Sequence, residues 1–170
     1  MFRRWLKPEP VRRRFNSDLT GRPHPIFFPL KTRDTVISLD TRLTTAAAFK
    51  ALYDTTGWGP PERDTDYYAR ALAGSWFSVS AYAGDELVGF ARVISDGHLH
   101  AFITEMIVAP AFQAQCLGSQ LLDAALAACH AASITDVQLF CARGKQGFYE
   151  KHGFLPRPQD GPGMQLVTGV

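Results

Sequence analysis

Four groups of residues in this chain could do chemistry. The first is the run from Met106 to Leu122, Met-Ile-Val-Ala-Pro-Ala-Phe-Gln-Ala-Gln-Cys-Leu-Gly-Ser-Gln-Leu-Leu. It reads as the end of a buried strand, a tight turn, and the start of a long amphipathic helix. Such a turn presents unpaired N–H groups at the positive end of a helix dipole, which suits a phosphate. The second group lies on the strand before it. Glu105 there is a candidate general base, because a buried carboxylate can be tuned toward that work. Side chains alternate along a strand, so the working face carries either Glu105 or the set His98, His100, Phe102 and Thr104. Alternatively, Glu105 pairs with Arg92 and His100 is a satisfied histidine at the sheet edge. The third group spans Tyr53 to Tyr68 and includes Trp58, Glu62, Asp64 and Asp66. Aromatic and acidic side chains together suit an amine-bearing ligand; the alternative is that the two aspartates cap a helix and Trp58 packs in the core. The fourth is Arg12-Arg13-Arg14, which could neutralise phosphates. It has no base-reading motif beside it, so a solvated tail is expected rather than a nucleic-acid arm. His130 and His152 are expected on solvated helix surfaces.

These residues need elements to hold them. Thr35 to Asp40 alternates like a strand. Thr44-Thr45 caps an Ala-rich helix through Tyr53, ended by Gly57, and a second helix starts near Asp64 or Thr65 and reaches Gly74. Three strands then form a meander over Trp76–Tyr82, Leu87–Ile94 and His98–Val108, turning at Gly84-Asp85 and at Asp96-Gly97. The helix after Val108 puts Leu117, Leu121, Leu122, Ala125, Leu126 and Cys129 on one face. Val137–Cys141 is a short strand, Lys145–His152 a short helix stopped by Gly153, and Phe154–Pro156 with Met164–Thr168 a closing pair of strands. Antiparallel meanders combined with crossover helices predict an α/β fold with a mixed sheet.

The 170 residues carry a net charge of +2, but unevenly. Residues 1–33 hold nine Lys/Arg against two acids, and the rest holds nine against fourteen. The expected organisation is a basic Arg/Pro-rich arm over 1–33 and one mildly acidic domain over 34–170. No apolar run is long enough for a membrane span, and the basic start lacks the apolar core of a secretory signal. Cys116, Cys129 and Cys141 lack metal-ligand spacing, so no metal is expected. They read as reduced thiols of a cytoplasmic protein.

Two motifs, in this order of elements, resemble the GNAT superfamily of acyl-CoA-dependent N-acyltransferases over roughly residues 34–168. One is Gln113-Ala114-Gln115-Cys116-Leu117-Gly118-Ser119 after the strand, similar to the family's Gln/Arg-x-x-Gly-x-Gly/Ala. The other is Gly147-Phe148-Tyr149-Glu150-Lys151-His152-Gly153-Phe154, similar to Phe-Tyr-Glu-Lys-x-Gly-Phe. The resemblance implies a mixed central sheet with splayed central strands and flanking helices. It implies an N-acetyltransferase that moves an acetyl group from acetyl-CoA, its co-substrate, to a primary amine by direct attack. A small-molecule amine is expected rather than a protein. Homodimers are frequent in such a family.

The resemblance also assigns roles. Met106, Ile107 and Val108 would offer backbone groups to the pantetheine arm, with the Met106 amide polarising the carbonyl, and Gln113 to Ser119 would hold the pyrophosphate. Tyr149 would be the general acid that protonates the departing thiolate, and Glu105 the base. Trp58, Glu62, Tyr68 and His100 would line the acceptor side. Three departures stand out. Cys116 replaces the first Gly of the loop pattern, Ala114 replaces another frequent Gly, and Ala142 replaces an Asn that would bond the cofactor. A backbone of negative φ at residue 116 would make the cysteine harmless. A non-catalytic acyl-CoA sensor and an acetyltransferase tethered to nucleic acid by the arm are the alternatives.

Overall fold

Periodicity and caps place most of the elements. The computed structural model describes residues 30–32 and 35–165. Strands β1 (Leu30–Thr32) and β2 (Thr35–Asp40) are followed by helices α1 (Ala46–Asp54) and α2 (Thr65–Ala73). Thr45 caps α1 by accepting from the Ala48 N–H, and Asp64 caps α2 by accepting from Tyr67. The meander is β3 (Phe77–Ala83), β4 (Glu86–Ser95) and β5 (His100–Val108). Its second turn is held by Asp96, whose carboxylate accepts from the N–H groups of His98 at 2.9 Å and Leu99 at 2.8 Å. A 3-10 turn at Pro110–Phe112 leads into α3 (Leu117–Ala131), then β6 (Asp136–Leu139) and α4 (Gln146–Glu150).

The six strands lie side by side in chain order. The pairs from β1 to β5 are antiparallel, β3–β4 and β4–β5 through hairpin turns and β2–β3 across the α1–α2 segment, while the α3 crossover makes β5–β6 parallel. The sheet therefore starts at Leu30, inside the segment read as an arm. The remainder of that arm lies outside the described residues.

Each face of the sheet is covered separately. Phe49 and Leu52 of α1 and Tyr68 and Leu72 of α2 bury against Leu87, Phe90 and Ile107. On the other face α3 buries Leu117 and Leu121 against Val79, Ala81 and Ala91, and Leu122, Ala125 and Cys129 against Val93 and Ile103. The helix comes closest at Gly89. A Cβ there would lie 3.0 Å from Leu121, 3.2 Å from Ala81 and 3.3 Å from Leu117, so glycine sets how near α3 approaches.

The expected closing strands do not form among the described residues. Phe154–Pro156 and residues 164–165 are irregular, and residues 166–168 lie outside the description. The local reason is that the Phe154 N–H is used to close α4, donating to the Tyr149 carbonyl at 3.1 Å. Pro156, Pro158 and Pro162 bring no N–H to a ladder.

Candidate active site

The parallel pairing of β5 with β6 runs from His100↔Asp136 to Ile103↔Leu139 and stops. β5 continues to Val108, so the edge of Thr104–Val108 that would face β6 has no strand partner among the described residues. Beyond that end, after the 3-10 turn, α3 begins at Leu117.

Inside that stretch β5 bulges. Phe90 pairs with Ile107 and Arg92 with Thr104, so Glu105 and Met106 together oppose Ala91. Glu105 takes the left-handed conformation, φ 44°, that such a bulge requires. The extra residue resets the alternation. Ala101, Ile103 and Met106 pack toward α3, whereas Glu105 and Ile107 turn toward α1 and α2. Strict alternation was therefore the wrong basis for assigning faces on this strand. His100 is not drawn into the site. It sits at the far end of β5, exposed, with Nδ1 2.8 Å from an Asp136 carboxylate oxygen.

Glu105 lines a cavity of about 90 Å³ between the sheet and the two early helices. Its other walls include Phe49, Tyr53, Tyr67 and Tyr68, with the guanidiniums of Arg63 and Arg92. Arg92 Nε donates to Glu105 Oε2 at 2.5 Å, and the same guanidinium donates to the Ala71 carbonyl. Arg63 stacks on the Tyr67 ring, 4.5 Å from its centroid. Tyr68 is only 2% exposed, and its hydroxyl has no hydrogen-bond partner among the described residues. That is a costly state for a buried polar group.

Tyr68 is thus at the cavity, as its place in the chain suggests, but Trp58 and Glu62 are not among its walls. Trp58 leans edge-on against Tyr53, with centroids 6.3 Å apart, and Glu62 faces solvent. Asp64 caps α2 and Asp66 lies exposed in its first turn. The acidic wall read from the sequence therefore points outward. The charge facing the cavity is two guanidiniums against one carboxylate. Arg63 was missed because it stands among Glu62, Asp64 and Asp66 and looks locally paired; Tyr53, read only as one end of that wall, is a lining residue.

The turn into α3 has two left-handed residues, Ala114 at φ 59° and Cys116 at φ 61°. The expectation of negative φ at residue 116 is overturned: the loop keeps the glycine-like backbone although neither residue is glycine. Cys116 is the N-cap and makes no side-chain capping bond, which leaves the first amides of α3 without a side-chain acceptor. Gln113 Nε2 donates to the Val108 carbonyl at 3.0 Å and Gln115 Nε2 to Ala111 at 3.0 Å, so both glutamines brace the turn. Gly118 stands beside Val108 and the Phe148 ring, each within 4 Å of where its Cβ would be.

Tyr149 comes from the opposite direction. It packs with Phe148 and Phe154 against the α3 side of the sheet, the face away from the Glu105 cavity. Burial raises its phenol above the ordinary value of 10.0, with the nearby Cys141 adding to the shift. His152 is not solvated as expected: Nδ1 lies 2.9 Å from the Phe148 carbonyl, and the ring stacks on Phe148. His130 is exposed, as expected.

Comparison with known proteins decides what this arrangement is. Residues 45–154 match the family model described as "Acetyltransferase (GNAT) family". The chain belongs to the GNAT acetyltransferase family. It is 32% identical over 117 residues to an uncharacterized N-acetyltransferase of Pyropia yezoensis, covering 66% of each chain. It is 31% identical over 126 residues to a histone acetyltransferase of Glycine max, covering 68% of this chain and 54% of that one. The chain thus spans about half to two thirds of the length of these two relatives. Among solved structures, a probable acetyltransferase of meticillin-resistant Staphylococcus aureus superposes with a TM-score of 0.70 at 25% identity, covering 78% of this chain and 99% of that one.

A GNAT domain generally uses acetyl-CoA, and the residues present fit one. The N-terminus of α3, which has no side-chain cap, suits a pyrophosphate. The unpartnered edge of β5 suits an extended amide-bearing arm, which can bond to it as an added strand would. No described helix is long and apolar enough to cross a membrane.

Proposed function

We propose that this GNAT protein is an N-acetyltransferase that transfers acetyl from acetyl-CoA to a small primary amine by direct attack in a ternary complex. The observation that carries the reading is the bulge in β5. It turns a carboxylate into a small cavity on one face while the strand edge stays open and a half-buried phenol stands on the other face.

Acetyl-CoA supplies an activated acyl group and a thiolate leaving group. The chain's residues do the rest. Amides of Cys116 to Ser119 bind the pyrophosphate, with Gln113, Ala114 and Gln115 shaping the turn. Met106, Ile107 and Val108 orient the pantetheine arm along the open edge, and the Met106 amide donates to the thioester oxygen as charge develops there. The Val108 carbonyl already accepts from Gln113 and keeps a second lone pair for an amide of that arm. Glu105, held by Arg92, takes the ammonium proton of the acceptor from the cavity side. Tyr149 donates its proton to the departing sulfur from the other side. Burial suits it to that task, because a phenol held protonated remains a donor. The small cavity favours a compact amine over a folded protein surface.

The test is calorimetry with acetyl-CoA followed by a thiol-release screen of amines. Micromolar binding and turnover of some amine are expected. Binding without turnover of any amine would instead make the protein an acyl-CoA sensor, and absence of binding would remove both readings.

A further inference from the structure

We infer that the acceptor amine also carries a carboxylate, and that Arg63 is the specificity-determining residue that binds it. The inference rests on the acetyltransferase reading and narrows its acceptor.

Hydrogen-bond and charge accounting in the cavity lead there. Glu105 and Arg92 satisfy one another, and Arg92 also donates to the Ala71 carbonyl. Arg63 has no such partner: among the described residues no carboxylate pairs with it, and its guanidinium rests on the Tyr67 ring. The Tyr53 hydroxyl and the Arg63 guanidinium approach the same point above Gly59, at 3.8 and 3.0 Å from where a Cβ would stand. The Tyr53 ring lies tilted beside the Tyr68 ring, with centroids 5.2 Å apart, and the Tyr68 hydroxyl is buried with no acceptor among the described residues. Desolvation, followed by the Glu105 charge, raises the Tyr53 phenol and keeps it a donor. Three donor groups with no side-chain acceptor among the described residues therefore line one cavity whose charged groups sum to a positive value.

A simple alkyl or aryl amine leaves that state uncorrected. Its ammonium adds a second excess positive charge, and the Tyr68 hydroxyl stays unpaired. A carboxylate on the same molecule corrects both. The planar guanidinium fork matches its two oxygens, and the phenols can donate to the remaining lone pairs. With the carboxylate at Arg63, the amine is left for Glu105, whose second oxygen is not taken up by the Arg92 Nε hydrogen bond.

The experiment compares amines that differ only by the carboxylate: tyrosine with tyramine, phenylalanine with phenethylamine, ornithine with putrescine, and 4-aminobutyrate with propylamine. Thiol release gives kcat/KM for each, and calorimetry without acetyl-CoA gives binding for each. At least one carboxylated amine should exceed its twin by about 10- to 100-fold, the worth of a charge-assisted hydrogen bond. Arg63→Gln should abolish that preference through KM while leaving acetyl-CoA affinity unchanged. Tyr68→Phe should narrow it and raise the melting temperature, since it removes an orphaned hydroxyl. Equal or better use of the decarboxylated twins overturns the inference, as does an equal loss for both twins in Arg63→Gln, or a failure of every carboxylated amine to bind. If acetyl-CoA fails to bind, the acetyltransferase reading falls instead, and the calorimetry of the twins still decides what the cavity recognises.

Discussion

At the scale of single residues, the two departures from the loop pattern have a measurable consequence. Ala114 and Cys116 hold left-handed backbone, which costs a side-chain-bearing residue about 1–2 kcal/mol. Replacing Cys116 by glycine relieves that strain but gives the unfolded chain more freedom, so a net gain of about 1 kcal/mol is expected. Cys116→Gly should raise the melting temperature by about 2–4 °C and leave acetyl-CoA affinity intact by calorimetry. A large loss of affinity would mean that the thiol itself touches the cofactor. Tyr149→Phe should lower kcat by on the order of 100-fold with little change in acetyl-CoA binding, as expected for loss of a general acid. Unchanged turnover at saturating substrate would remove that role. Glu105→Gln should likewise depress kcat, although its ion pair with Arg92 means that folding must be checked alongside.

At the scale of elements, the position of α3 governs the cleft. Its first turn supplies the amides, and its seat on the sheet depends on Gly89. A methyl group there meets Leu121, Ala81 and Leu117 at 3.0–3.3 Å, so Gly89→Ala should destabilise by about 1–3 kcal/mol, the usual cost of overpacking. Because the shift would lift the helix and its amides together, acetyl-CoA affinity should fall as well. A variant with lowered stability and unaltered affinity would show that the loop is positioned independently of the sheet. Most element boundaries could be read in advance. Thr45 and Asp64 announce their helices by cap chemistry, and Gly84 and Asp96-Gly97 announce the hairpins. Phe154–Pro156 could not be read this way, because Phe154 spends its N–H on the end of α4 rather than on a strand.

At the scale of the molecule, cleft, cavity and loop all lie between residues 35 and 165. Removing residues 1–29 should therefore leave kcat/KM unchanged by thiol release, and a drop would assign the basic segment a part in substrate binding. The fold also carries an alkaline sensitivity. Burial raises Tyr149 and Tyr53 above 10.0 and Cys129 above 9.0. Groups whose folded-state pKa is raised favour the folded state fully below the unfolded value and lose that contribution as pH climbs past it. Stability measured by urea unfolding should hold to about pH 9 and then decline. The decline should be shallower in Tyr149→Phe, and an identical slope in the variant would show that the phenol is not the group responsible.

The sequence by itself determined the order of elements from β2 to α4, because caps, periodicity and short motifs depend on residues close in the chain. The resemblance to the family is what singled out Tyr68 and Glu105. Only the tertiary structure decided which way they act. The bulge that sends Glu105 toward α1 and α2 arises from a mismatch between two strands, which neither strand reveals alone. His100 fell away because its partner Asp136 lies on a strand 36 residues on. The cavity's positive charge was invisible for a related reason. Along the chain Arg63 sits among acids, and only folding turns those acids to solvent and leaves the guanidinium facing the tyrosines.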